Sequence, residues 1–181
     1  LAAEYGWERV RDLWLMRRSL RVELPDVSVP EGPGDTVIRT WRPGDEDQLL
    51  AVNASAFAHH PEQGALTRAG LDERLGSPWF DPAGLFLAVA PDGGLLGFHW
   101  TKVHDDDPSY GEVYVVGVSP DAQGGGLGAA LTARGLRYLH DRGLGEVVLY
   151  VEADNRPALR TYERLGFTHA DADTDVMYRR S

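Results

Sequence analysis

The 181 residues are 43% hydrophobic, enough for one domain with a real core, and carry a net charge of −10 at pH 7. That charge argues against nucleic acid or an anionic membrane surface as partner. With zero cysteines, disulfides, thiolate metal sites and a cysteine nucleophile are excluded. No apolar run approaches membrane-spanning length and no signal peptide is visible, so the expected location is the cytoplasm.

The chain starts with Leu1 and reads Gly6-Trp7, a gap, then Met16-Arg17-Arg18-Ser19. Its other end reads Gly166-Phe167, a gap, then Met177-Tyr178-Arg179-Arg180-Ser181. This weak internal repeat predicts that residues 1–24 are the last hairpin of an upstream domain like the one that follows. Residues 25–36, rich in Pro, Gly, Asp and Glu, read as a linker, and 37–181 as the domain itself.

Within that domain Val37 to Trp41 reads as a strand. Arg42-Pro43-Gly44-Asp45 opens a helix with acidic residues in its first turn. His59-His60-Pro61-Glu62-Gln63-Gly64 is a loop, and Thr67 is a candidate N-cap for a second helix through Leu75. Leu85 to Ala90 and Leu95 to Val103 form a hairpin across Pro91-Asp92-Gly93-Gly94. Val113 to Val118, all Val, Tyr and Gly, is a buried strand. Ser119-Pro120-Asp121 ends it, and a glycine cluster opens a helix that Gly143-Leu144-Gly145 ends. Val147 to Val151 is another buried strand. Asn155 to Arg164 is a helix with Pro157 in its first turn and Gly166 at its end. Two strands, near Phe167 to Ala170 and Asp175 to Arg179, finish the chain. The order β-α-α-β-β-β-α-β-α-β-β predicts an α/β (α+β) fold, a mixed sheet with helices on both faces.

A strand, a glycine turn and a helix N-terminus together present backbone N–H groups to an anion. A P-loop needs Lys-Ser/Thr after its last glycine, whereas Ala129-Ala130 follow Gly128. A dinucleotide fingerprint threads onto Gly124-Gly125-Gly126-Leu127-Gly128 only in part. The pattern that fits without strain is Q/R-x-x-G-x-G, on Gln123, Gly126 and Gly128; a mere tight turn is the bland alternative. A second motif, N-x-x-A-x-x-x-Y-x-x-x-G-F, is complete in Asn155, Ala158, Tyr162, Gly166 and Phe167.

On these two motifs, in this order, the chain from about Val37 onward resembles the GCN5-related N-acetyltransferase family. The resemblance implies that family's fold, with a β-bulge in the central strand, and acetyl-CoA as cosubstrate. It implies a pyrophosphate cradle at Gln123, Gly124, Gly125, Gly126, Leu127, Gly128 and Ala129. Val116, Gly117 and Val118 would meet the pantetheine and polarise the acetyl carbonyl, with Gly117 as the bulge residue. Asn155 and Ala158 would hold the pantetheine, and Arg156 and Arg160 the phosphates. Glu112 would be the base for the amine proton and Tyr162 the acid for the departing thiolate. Gly125 departs from the pattern, since many members carry Arg or Lys there; that removes a charge but not the N–H cradle. The bland readings are a solvated strand end for Glu112, a packing aromatic for Tyr162 and solvated arginines.

Four further stretches, Asn53 to Gly64, His99 to Lys102, Gly111 to Val118 and Leu149 to Asn155, resemble the mycothiol branch of the family. That resemblance implies a tandem actinobacterial protein whose second domain acetylates the cysteinyl amine of a cysteinyl-glucosaminyl-inositol. Glu62, Lys102 (the sole lysine) and Tyr150 would then bind this small-molecule acceptor, alongside the upstream domain as partner. The His59-His60 pair has no supporting Cys or Asp/Glu-x-x-His pattern, so no metal is expected. The alternatives are an acetyltransferase for another small-molecule amine or a protein N-terminus, and an idle coenzyme A-binding module. Glu112 and Tyr162 together argue against the last, because a pure binder needs neither.

Overall fold

Residues 7–28, 35–60 and 62–180 are described by the computed structural model. Residues 1–6, and with them the first part of the internal repeat, lie outside that set. Among the described residues seven strands form one sheet: β1 (Trp7–Ser19), β2 (Val37–Thr40), β3 (Leu85–Val89), β4 (Leu95–Val103), β5 (Tyr110–Val118), β6 (Glu146–Glu152) and β7 (Thr168–Arg180). The helices are α1 (Glu46–Ala56), α2 (Arg68–Leu75), α3 (Leu127–Asp141) and α4 (Arg156–Arg164). The strand order is β2-β3-β4-β5-β6-β1-β7. Neighbours run antiparallel except β5 and β6, which are parallel and joined through α3.

Alternation along the strands sends side chains to two cores. On one face Val113, Val147, Leu149 and Val151 pack with Leu136, Leu139 and Leu159 from α3 and α4. On the other, Leu85, Leu87, Phe98 and Trp100 pack with Leu49, Val52 and Leu71 from α1 and α2. The expected helices on both faces are therefore present. Local chemistry explains their ends. Thr67 Oγ1 accepts the Gly70 N–H at 3.1 Å and starts α2. At the end of α4, Gly166 (φ +87°) lets its own N–H reach Glu163 O at 3.0 Å and the Phe167 N–H reach Tyr162 O at 3.0 Å. The Tyr162 and Phe167 rings then pack edge to face at 5.8 Å, the apolar contact that accompanies such a cap.

Two features differ from the sequence expectation. The closing segment is one strand, β7, rather than two strands separated by residues 171–174. Its register on β1 breaks there, Trp14 facing Thr174 while Met16 faces His169, so the extra residues bulge without ending the strand. His169 stacks on Trp14 with centroids 4.1 Å apart, and Arg17 Nε holds Asp173 at 3.3 Å, which fixes the bulge. The second feature is the central bulge. The β4 register jumps from Trp100↔Val115 to Thr101↔Val113, so the unpaired residue is Tyr114, not Gly117. Gly117 serves close approach instead: a Cβ there would come within 2.7 Å of the Phe98 ring and 3.1 Å of Phe57.

β1 lies inside the sheet, between β6 and β7, although it comes first in the chain. Its Arg18 is buried and reaches across to donate from Nε to Leu165 O at 2.6 Å and from Nη2 to Glu23 O at 2.7 Å. A cation at the end of α4 also suits that helix's dipole.

Candidate active site

The bulge at Tyr114 resets the alternation of β5. Before it, Val113 faces α3 and Glu112 faces the α1–α2 side; after it, Val115 joins the α1–α2 core, and Val116 and Val118 pack toward α3. The parallel pairing with β6 is recorded from Tyr110↔Glu146 to Val113↔Leu149 and goes no further among the described residues. Beyond Val113 the two strands part, and the β6-facing N–H and C=O groups of Val116 and Val118 are left without a ladder partner there, while those of Gly117, like those of Ser119, turn to β4.

Gln123, Gly124, Gly125, Gly126, Leu127, Gly128 and Ala129 follow at the end of β5. Gly126 (φ +90°) is the N-cap of α3 and offers no side chain to the first-turn N–H groups. Gly124 (φ +83°) and Gly125 face open space. Gln123 folds back, its Nε2 donating to Val118 O at 3.0 Å, and Leu127 is buried beneath the turn. An uncapped 15-residue helix beside an open glycine loop fits a polyanion such as a pyrophosphate.

Across the split stands α4. Asn155 is its N-cap and accepts the Ala158 N–H at 3.3 Å, while Arg156 and Arg160 are exposed. Tyr162 is half-buried against the core under α3 and α4, and burial pushes its phenol up to about 12. It is a proton-bearing hydroxyl throughout the physiological range.

Glu112 is buried, 8% exposed, near the start of β5. Lys102 faces it across the β4–β5 ladder and Val148 across the β5–β6 ladder. Alternation places Tyr150 and Glu152 on the same face as Val148. Tyr150 is 51% exposed, so it is not core. The Lys102 ammonium lies over the rings of Trp79 at 4.6 Å and Tyr114 at 5.3 Å. The α1–α2 loop bearing Glu62 covers this face. Its latch is Asn53, fully buried, which donates to Gln63 O at 2.6 Å and accepts from Gln63 Nε2 at 2.8 Å. Glu62 is exposed, 3.8 Å from Arg11 of β1, whose Nη1 also holds Glu152 at 3.1 Å. His60 sits 3.8 Å from Glu152, and no group of three His, Asp or Glu among the described residues is placed to hold a metal.

Three neighbours of the site escaped the sequence reading. His104 Nε2 lies 2.6 Å from Glu112 Oε2. Counting back along the β4–β5 hairpin from Glu112 would have placed a histidine beside it. Asn53 announces itself only as a polar residue on a helix face that is otherwise apolar. Arg11 has no local signal, because its partners are 51 and 141 positions away.

A protein-family model described as "Acetyltransferase (GNAT) family" matches residues 49–167. The chain is 54% identical to a protein named mycothiol acetyltransferase from Nocardioides sp., over 99% of this chain and 65% of that one. It is 59% identical to a protein of the same name from Thermomonospora curvata, over 99% of this chain and 58% of the other. The chain thus spans less than two thirds of the length of these relatives. Among solved structures, a GCN5-related N-acetyltransferase from Sphaerobacter thermophilus superposes with a TM-score of 0.79 at 29% identity, covering 97% of this chain and 53% of that one.

Proposed function

The chain belongs to the acetyltransferase (GNAT) family, and we propose that it moves an acetyl group from acetyl-CoA to the cysteinyl amine of cysteinyl-glucosaminyl-inositol, the last step of mycothiol biosynthesis. The observation that carries this reading is identity of 54–59%, across nearly all of this chain, to proteins named mycothiol acetyltransferase. Acetyl-CoA supplies an activated thioester. The uncapped N–H groups from Gly126 to Ala129 bind its pyrophosphate, and Gln123 braces the loop. Asn155, Ala158, Arg156 and Arg160 line the other side of the split.

The N–H groups of Val116 and Val118 polarise the acetyl carbonyl, a contribution that grows as negative charge develops on oxygen. Glu112 takes the proton of the attacking amine. As the carbon–sulfur bond breaks, the Tyr162 hydroxyl gives its proton to sulfur. Glu62, Lys102 and Tyr150 bind the polyol acceptor, and the acidic surface attracts its ammonium. Residues 1–24, expected as a hairpin but carrying the single strand β1 among the described residues, come from the end of a preceding domain of the same kind and lend β1 to this sheet; 25–36 are the linker and 37–181 the rest of the catalytic domain. A reaction that draws on acetyl-CoA belongs in the cytoplasm.

The test is thiol release from acetyl-CoA with cysteinyl-glucosaminyl-inositol, compared with free cysteine, glucosamine and an aminoglycoside, using the full-length protein as well as this chain. Release with the first acceptor alone, abolished by Glu112→Gln, supports the reading. Release with an aminoglycoside instead would refute the acceptor and leave the family.

A further inference from the structure

We propose that His104 is a positioning residue for Glu112, the two forming a carboxylate–imidazole pair in which the imidazole fixes one oxygen of the base and leaves the other for the acceptor amine. This rests on the assignment of Glu112 as the base made above.

A glutamate carboxylate hangs on three side-chain torsions, and each misaimed rotamer is a base that does not touch its proton. Glu112 is buried, so an unanchored carboxylate there also lacks the water that would solvate its charge. The Nε2–Oε2 distance of 2.6 Å is short, just under the ~2.7–2.9 Å usual for a charge-assisted N–H···O hydrogen bond. An N–H donor on Oε2 therefore both solvates the charge and fixes the plane of the carboxylate. The anchoring atom comes from the segment that leaves β4, one residue past Val103, which pairs with Gly111. It is thus held by the same ladder that sets Glu112.

The imidazole is itself constrained. Its ring packs against Tyr110 with centroids 5.6 Å apart, on one side of the pair. It also lines an open pocket of about 420 Å3 at the end of β4, shared with Trp79, Phe80, Asp81, Tyr138 and Arg142. The pair therefore has a buried carboxylate end and a solvent-facing imidazole end. The charged and titratable groups around the histidine are Glu112 and Tyr110 from β5, Lys102 from β4 opposite Glu112, and Asp105, Asp106 and Asp107 in its own loop. Across the pocket stand Asp81, Tyr138 and Arg142, already bonded to one another at 2.7–2.8 Å. That mutual bonding leaves His104 as the pocket's contact with the base. No atom is transferred between His104 and the acceptor: the amine proton goes to Glu112, and His104 keeps the carboxylate aimed.

The experiment compares His104→Ala, His104→Gln and Glu112→Gln in the thiol-release assay, with KM measured for both substrates. His104→Ala should lower kcat about tenfold or more with the KM for acetyl-CoA unchanged. His104→Gln, which keeps an N–H donor, should recover most of that loss. A His104→Ala kcat within twofold of wild type, or a loss that His104→Gln does not recover in a folded protein, overturns the proposal. Activity surviving in Glu112→Gln would instead overturn the assignment of the base. Should no acceptor turn over, 15N NMR of the imidazole decides. The His104 Nε2–H resonance should be that of a strongly hydrogen-bonded proton and should change in Glu112→Gln. An unaltered resonance refutes the pair.

Discussion

His99 gives the structure a built-in sensitivity to acid. It is completely buried between β4 and α3, with Nδ1 2.9 Å from the Leu131 carbonyl, so Nδ1 carries the hydrogen. Its other nitrogen has no hydrogen-bond partner. Protonation would add a charge and a second N–H with nothing to receive it, and burial accordingly lowers the pKa from 6.5 to about 4. The unfolded chain takes up this proton near 6.5, the folded chain only near 4. Stability from this residue is therefore complete above about 6.5, falls as the pH drops and is gone below about 4. The full gap is worth ~3 kcal/mol, of which about 2 kcal/mol is lost between pH 7 and pH 5. Against a typical total of about 5–15 kcal/mol this is a large share. Urea unfolding followed by tryptophan fluorescence, at half-unit steps from pH 7.5 to 5, reads it directly. His99→Asn keeps an N–H for Leu131 O and removes the titration. It should start less stable at pH 7, and the gap to wild type should close by about 2 kcal/mol by pH 5. A gap that stays constant to within about 0.5 kcal/mol would show that His99 is not neutral and buried in the way described.

Gly135 is the floor under that imidazole: a Cβ there would overlap the His99 ring and reach Thr101 Cγ2 at 3.0 Å. Gly135→Ala should cost about 1–3 kcal/mol or more, read as a lower Tm, and Gly143→Ala should not be used as its control because Gly143 has φ +83°. Asn53→Leu removes both bonds to Gln63 and frees the loop carrying Glu62. Stability should fall by about 1–3 kcal/mol, and the KM for acceptor should rise while that for acetyl-CoA holds. Tyr162→Phe keeps the ring that packs on Phe167 and deletes the hydroxyl, so kcat should drop about 10-fold or more at unchanged Tm. With its phenol near 12, wild-type kcat should show no alkaline limb from Tyr162 up to about pH 10. A Tyr162→Phe enzyme of wild-type kcat would remove the proton donor from the scheme.

Much of this architecture is written locally. Thr67 before α2, Gly93 in the β3–β4 turn, Gly166 after α4 and the Gly124–Gly128 run each specify a backbone shape by their own chemistry, and each element they bound is present. What was not legible depends on register or on distant partners. Tyr114 is an ordinary strand residue in sequence, and only pairing with β4 reveals it as the bulge. Gly117 looked like the bulge because glycine suits one, yet two phenylalanine rings from elsewhere claim its missing Cβ. The Asp171–Asp173 segment has turn composition, but Arg17 and Trp14, more than 150 positions upstream, hold it in a strand. The motif residues around the split were readable because their spacing along one segment is fixed. His104, Asn53 and Arg11 join them through the fold alone.

The place of β1 sets the order in which the sheet can be completed. Glu146, the first residue of β6, lies 127 positions after Ser19, the last of β1. At ~5–20 residues per second a ribosome needs about 6–25 s to bridge that interval. Throughout it β1 lacks both of its neighbours in this sheet, while β2 to β5 already have everything they need to pair with one another. The half-sheet that carries Glu112 and the glycine loop is thus the part of this sheet that synthesis completes first. The half that carries Tyr150 and Tyr162 closes only when an old strand is captured between two new ones. Until then the places beside β1, a 13-residue strand, that β6 and β7 take in this sheet are empty.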